Sequence, residues 1–220
     1  MKPLVVFGTS KFARLVHYCL TRDGKRRVDA FTVDRGNGSK KTFCDLPVVP
    51  FDRVKTSFPP EYYDMIIAVG YKDMNDLRRR KYEEATSMGY TFASYVHSST
   101  VLPDNVQLGA NCLIFERNVL QPFVRIGNNC IIWSGNVIAH DSVLGDHCFV
   151  SSGVVIAGET NIGDSCFLGI GAIVGPHLTV GRKCLIGAGA VLMRDAEDFG
   201  VYGAEPSERR KAPSHRVPIL

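Results

Sequence analysis

The stretch IGNNCIIWSGNVIAHDSVLGDHCFV, residues 126–150, carries an aliphatic side chain at Ile126, Ile132, Ile138, Leu144 and Val150, one in every six positions. Working outward, the register runs back through Leu120, Ile114 and Leu108 to Leu102, and forward through Ile156, Ile162, Leu168, Val174, Val180 and Ile186 to Leu192. That is sixteen consecutive hits. With Leu, Ile and Val at roughly a quarter of ordinary positions, chance does not produce such a run. A second period of 18 lies on the first, in Gly109, Gly127, Gly145, Gly163 and Gly181 and in Cys112, Cys130, Cys148, Cys166 and Cys184. Three hexads per 18 residues describe a coil of three short strands with one inward aliphatic each and small or polar corners, which is a parallel β-helix of hexapeptide repeats. Inward side chains of successive coils then stack about 4.8 Å apart, and the glycine column is expected to give tight bends with φ > 0. The cysteine column falls where other coils carry Val106, Val154, Ala172 or Ala190, so cysteine there reads as a small buried hydrophobe.

Before the repeat the pattern changes. Strands are expected at 4–7, 28–34, 64–69 and 91–96, and helices at 11–21 and 73–88. Strand and helix in alternation argue for a small parallel sheet with helices on it. The chain therefore divides into an α/β Rossmann-like unit over 1–97, a β-helix over 98–195 and a tail over 196–220. The turn Gly8-Thr9-Ser10-Lys11-Phe12-Ala13 keeps only the first glycine of G-x-G-x-x-G, so a full dinucleotide site is not expected. It still aims backbone N–H groups and the positive end of a helix at an anion. Lys11 adds charge, and Asp34 sits where such folds place a carboxylate against a ribose or base. An ordinary ligand-free turn is the alternative.

At 220 residues and 24.2 kDa, with 45% hydrophobic and 22% charged residues, the chain has the makings of a globular core, which excludes disordered and fibrous classes. No apolar run approaches the roughly 20 residues of a membrane helix, and the start shows no secretory cleavage site. A cytoplasmic protein without a membrane partner is expected. The net charge of +4 is uneven: residues 1–97 hold 17 Lys and Arg against 11 Asp and Glu, and residues 98–195 hold 5 against 7. A basic first unit suits an anionic small molecule such as a nucleoside diphosphate. The run Arg78-Arg79-Arg80-Lys81 reads as a solvated helix face, so nucleic acid is not expected. Seven cysteines without a Cys-x-x-Cys pair suggest neither a disulfide framework nor structural zinc.

Taken together, the chain resembles the sialic acid O-acetyltransferase and nucleotide-sugar N-acetyltransferase family over nearly its whole length. The resemblance is most specific in Val6-Phe7-Gly8-Thr9-Ser10, in Ile66-Ile67-Ala68-Val69-Gly70, in residues 138–146 and in residues 158–170. Val201-Tyr202-Gly203-Ala204-Glu205-Pro206-Ser207 is similar to the family's Gly-x-Pro-Ala loop. Gln121-Pro122-Phe123 and Trp133-Ser134-Gly135-Asn136 resemble stretches that subfamilies acting on 4-amino-4,6-dideoxyhexoses share in large part. The resemblance implies a left-handed β-helix, a homotrimer, acetyl-CoA as cosubstrate with no bound cofactor or metal, a nucleotide-sugar acceptor and a role in surface-polysaccharide (lipopolysaccharide O-antigen) synthesis. It also implies a nucleotide site at Gly8, Thr9, Ser10, Lys11, Asp34, Arg35 and Gly70.

Acyl transfer from a thioester to an amine or hydroxyl needs a base that titrates near neutrality, and histidine suits that task. His140 stands two residues past the inward Ile138, at an outward corner, and Asp141 follows it. In the resemblance this corner lies at a subunit interface, with His140 the general base and Asp141, or a carboxylate contributed across the interface, its orienting partner. Gly158, one coil on, is placed to hold an oxyanion through its N–H. Coenzyme A is expected along the outer corners at Gly169, Gly171, Gly175, Gly187, Ala188 and Gly189, with Arg209, Arg210, Lys211 and Arg216 near its phosphates. Some members carry a second histidine nine residues after the first; here that position is Phe149, with Ser151 or Ser152 left to replace it. His147 is expected on a neighbouring face, and His177 is two coils away. A sugar O-acetyltransferase and a non-catalytic nucleotide-sugar-binding trimer remain alternatives.

Overall fold

A computed structural model of the chain describes residues 1–36 and 41–205. The first unit comprises β1 (Leu4–Phe7), α1 (Lys11–Arg22), β2 (Val28–Val33), β3 (Thr42–Phe43), β4 (Leu46–Pro50), α2 (Val54–Ser57), β5 (Asp64–Ile67) and α3 (Asp76–Ser87). The sheet order is β3-β4-β2-β1-β5, parallel except for the β3–β4 pair. The fully buried Leu4-Val5-Val6-Phe7 run suits a central strand covered on both faces. Helix α1 starts where Ser10 caps it, its Oγ accepting from the Ala13 N–H, and buries Ala13, Val16, Cys19 and Leu20 at helical spacing. Helix α3 begins three residues later than expected because Asp73, Met74 and Asn75 adopt φ of 54°, 49° and 70°, a left-handed run that cannot be helix.

From Tyr95 onward two-residue strands wind into three parallel sheets that pair residues 18 apart up to Leu192, after which Val201–Tyr202 pairs 16 residues back with Leu185–Ile186. The expected strand over 91–96 contracts to Tyr95–Val96, and this pair joins the β-helix by pairing with Leu113 and Ile114. The aliphatic column fills the prism with Ile114, Leu120, Ile126, Ile132, Ile138, Leu144 and their successors. Leu102 departs from it, at 37% exposed, because it stands on the first, open rung. The five repeat cysteines are fully buried, and each Sγ donates to a carbonyl of the next coil, as Cys148 does to Gly163 O at 3.2 Å. All seven cysteines are free thiols.

The glycine column does not supply positive φ. That conformation falls on another residue of every corner from Asn111 through Asp141 to Gly189, spaced six apart, with φ from 55° at Lys183 to 74° at Gly135. The glycines serve close approach instead, since a Cβ on Gly127 would lie 2.7 Å from the Asp146 backbone nitrogen.

The α/β unit docks on the sheet containing Leu113–Ile114, Ile131–Ile132 and Phe149–Val150. Outward Leu113, Ile131 and Phe149 share one core with Leu4, Val6 and Phe31, while Phe115 and Trp133 stack at 4.9 Å. The expected solvated face of α3 is in fact a docking face. Arg78 is fully buried and Lys81 nearly so, and only Arg80 of the basic run is exposed. Lys183 on a further coil pairs with Asp76 at 2.9 Å.

Candidate active site

Strands β1 and β5 are neighbours, while β2 lies on the other side of β1, so the chain direction across the sheet reverses at β1. Such a switch point leaves a crevice beyond the strand ends. A cavity of about 490 Å³ opens there, lined among others by Gly8, Thr9, Ser10, Asp34, Gly70 and Lys72. Gly8 has φ +117°, and a Cβ on it would sit 2.9 Å from Ala68 O, so the turn requires glycine. The first N–H groups of α1 have no helical acceptor and face outward from this turn. Of the residues expected here, Lys11 and Arg35 do not line the cavity, and Arg35 pairs with Asp52 at 2.6 Å. Asp34 lines it and also accepts from Lys81 Nζ at 2.7 Å. Lys72 and Leu77 line it without having been singled out in the sequence, since a lysine in a loop gives no periodic signal.

A second cavity, about 390 Å³, lies where the α/β unit meets the β-helix. Tyr71, Trp133, Phe149, Phe167 and Ile170 make its walls, and Ser151, Ser152, Gly169 and Ala188 its polar and small side. Phe149 and Phe167 stack 5.3 Å apart. Gly169 and Ala188, expected along coenzyme A, are thus together; Gly171 forms a neighbouring corner with φ +66°, and Gly187 instead donates its N–H to Tyr202 O. Arg209, Arg210, Lys211 and Arg216 lie outside the described residues.

His140 sits on the corner between Val137–Ile138 and Val143–Leu144, joining the two sheets that do not carry the α/β unit. The cavity at the strand ends of the same chain is therefore on the far side of the prism. The His140 N–H donates to Gln121 Oε1 at 3.0 Å, and Nδ1 lies 3.0 Å from Asp141 Oδ2. The carboxylate accepts only if Nδ1 carries the proton, which leaves Nε2 with a lone pair. Asp141 takes the left-handed corner position, φ 58°, which turns its carboxylate back toward the ring. Gly158 is stacked on the imidazole: a Cβ there would lie 2.9 Å from Nε2. Its neighbour Glu159 donates to His140 O, whereas the Gly158 N–H makes none of the chain's backbone hydrogen bonds among the described residues. The coil above places Pro176 and His177 at this corner, and His177 Nδ1 lies 3.4 Å from Glu159 Oε2.

His147 is elsewhere, on the α3 corner. It ends a ladder in which Asn111 Nδ2 donates to Asn129 Oδ1 at 2.7 Å and Asn129 Nδ2 lies 2.8 Å from His147 Nδ1. Burial holds its imidazole below the usual histidine range. Among the described residues no three His, Cys, Asp or Glu side chains are grouped to hold a metal, and no helix is long and apolar enough to cross a membrane.

The bacterial transferase hexapeptide family (six repeats) matches residues 123–158 and 159–194. Curated protein sequences give no match. Among solved structures, perosamine N-acetyltransferase from Caulobacter crescentus, in complex with CoA and GDP-perosamine, is 26% identical with a TM-score of 0.84, covering 96% of this chain and 98% of that one. The acetyltransferase domain of PglB from Neisseria gonorrhoeae is 22% identical with a TM-score of 0.82, covering 94% and 99%, and so shares the fold. WeeI from Acinetobacter baumannii shares it at 23% identity and a TM-score of 0.65, covering 87% and 96%. The hexad register, the parallel three-sheet coil and these likenesses converge: residues 123–194 carry the bacterial transferase hexapeptide repeat, and the chain shares the left-handed β-helix fold of the nucleotide-sugar N-acetyltransferases it resembles.

Proposed function

We propose that the chain is an acetyl-CoA-dependent N-acetyltransferase acting on an amino-dideoxyhexose linked to a nucleoside diphosphate, with a 4-amino-4,6-dideoxy sugar favoured and His140 as general base. The observation that carries the reading is the His140 corner, where Nδ1 is tied to Asp141 and Nε2 faces Gly158, whose N–H makes no backbone bond. In this reading the neutral sugar amine attacks the thioester carbonyl carbon. A C–N bond forms and the carbonyl electron pair moves to oxygen, where the Gly158 N–H donates to it. His140 Nε2 takes the ammonium proton, and Asp141 holds the resulting imidazolium. Collapse breaks the C–S bond, and the leaving thiolate takes the proton from the imidazolium, giving amide and coenzyme A thiol. The fold relative at 26% identity is described with CoA and GDP-perosamine, which supports both substrates.

The chain acts as a homotrimer in this account. The sheet beside the His140 corner turns Val119, Val137, Val155, Ile173 and Val191 outward, and the last three are exposed in the single chain. An apolar face of that kind is a contact surface, and a neighbour seated on it brings a second wall to a base that lies far from its own nucleotide cavity. We place the enzyme in the cytoplasm, serving surface-polysaccharide synthesis. Thermal-shift screening against UDP-, dTDP- and GDP-linked amino sugars with coenzyme A tests the reading. One of them should raise the midpoint and consume acetyl-CoA; no shift from any of them would refute the acceptor class.

A further inference from the structure

The loop Gly70-Tyr71-Lys72 belongs to both cavities. Gly70 and Lys72 line the one at the strand ends. Tyr71 walls the aromatic one, its ring 5.0 Å from that of Phe149 and 5.2 Å from that of Phe167. An exposed glycine-containing loop has little of its own to fix its position. Besides the Tyr71 ring contacts and the Asn75 N–H, which donates to Tyr71 O at 3.2 Å, it is held by Arg78. Nη1 donates to Gly70 O at 2.7 Å and to Asn75 Oδ1, Nε donates to Asn129 O, and Nη2 donates to His147 O at 2.7 Å and to Cys148 O. Gly70 precedes Tyr71, and Cys148 precedes Phe149, so one planar fork is bonded to both walls of the aromatic cavity and to one wall of the other. The side chain is fully buried, and its bonds go to carbonyl oxygens rather than to a carboxylate. A guanidinium used in this way fixes directions, because its five donors are set in one rigid plane.

We propose that Arg78 is a positioning residue of the acceptor site: it locks the Gly70–Lys72 loop to the coil that carries Phe149, so that the loop walls of the two cavities keep their place. The inference rests on the nucleotide-sugar reading above. Lysine offers a point charge with three rotatable donors and does not reproduce the fork.

Isothermal titration calorimetry of the full chain at 15 °C with UDP, dTDP and GDP tests it, on the wild type and on Arg78→Lys, Arg78→Met and Tyr71→Ala. The wild type should bind at least one of the three. Either Arg78 substitution should weaken that nucleotide by about tenfold, the size of a lost hydrogen bond to a charged group. Tyr71→Ala should weaken it by a factor of about three, through loss of an aromatic contact. The Tyr71 ring is 58% exposed, so this variant keeps its fold. A purely structural Arg78 would lower the Tm and leave the nucleotide Kd of the folded protein unchanged. Wild-type binding retained in a folded Arg78 variant overturns the proposal; if neither folds, unchanged binding by Tyr71→Ala does so. A wild type that binds none of the three overturns the nucleotide-sugar reading and the positioning role together, whereas failure in the variants alone leaves that reading standing.

Discussion

Gly158→Ala puts one methyl group against the proposed base. The new Cβ would stand 2.9 Å from His140 Nε2, 3.0 Å from Cε1 and 3.3 Å from Cδ2. Ordinary contact begins near 3.5 Å, so the ring must retreat by about 0.6 Å. Gly158 has no positive φ, so the backbone accepts alanine without strain. The His140 side chain is 54% exposed and can move, which limits the stability change to about 0.5 kcal/mol, as for other surface changes. A misplacement near 1 Å in a reacting group costs about a hundredfold in rate, so kcat should fall by about ten- to a hundredfold while the Tm hardly shifts. The Gly158 N–H is retained, which isolates the position of the imidazole. Release of coenzyme A thiol, followed with a thiol reagent, measures the rate. A kcat within twofold of wild type would refute the placement of the base at Nε2.

Two further outcomes are expected. His147 is held below its usual range by burial, so the folded chain takes up its proton less readily than the unfolded one. The stability that this neutral imidazole contributes is therefore complete above about pH 6.5 and is lost as the pH falls toward the depressed value. Calorimetric Tm values between pH 7 and 5 should fall less steeply for His147→Asn, which extends the Asn111–Asn129 ladder; parallel curves would contradict this. Ile173→Asp places a charge on the outward apolar face, where association would leave it buried at a cost of several kcal/mol. Light scattering should show a trimer for the wild type and a smaller species for the variant, and a monomeric wild type would remove the shared site.

The prism was legible in the sequence because an inward residue answers to one constraint, filling the core once per strand, and that constraint repeats without interruption. The outward residues answer to three different neighbours. Leu113, Ile131 and Phe149 meet the α/β unit, Val155 and Ile173 stand free, and Arg125 and Asn161 face outward on the third side. An 18-residue comparison of the positions before each inward aliphatic carries this signal, yet it says only that a face is apolar, not what covers it. Arg78 shows the limit most sharply. Within its helix it belongs to a basic run that reads as solvated, and only the docked corner carbonyls of Asn129, His147 and Cys148 explain its burial. The stacking of His140 on Gly158 followed from spacing, since corners 18 apart must coincide, whereas its pairing with Asp141 was implied by the family resemblance. The short segment from β3 to α2 was missed because its elements of two to five residues recur at no fixed spacing.

The most direct measurement is the turnover of His140→Asn with acetyl-CoA and the accepted nucleotide amino sugar, set beside calorimetric binding of both substrates. Asparagine fits the corner but cannot take a proton. The account predicts a loss in kcat of about a hundredfold or more with both dissociation constants close to wild type. Turnover at the wild-type rate would contradict it.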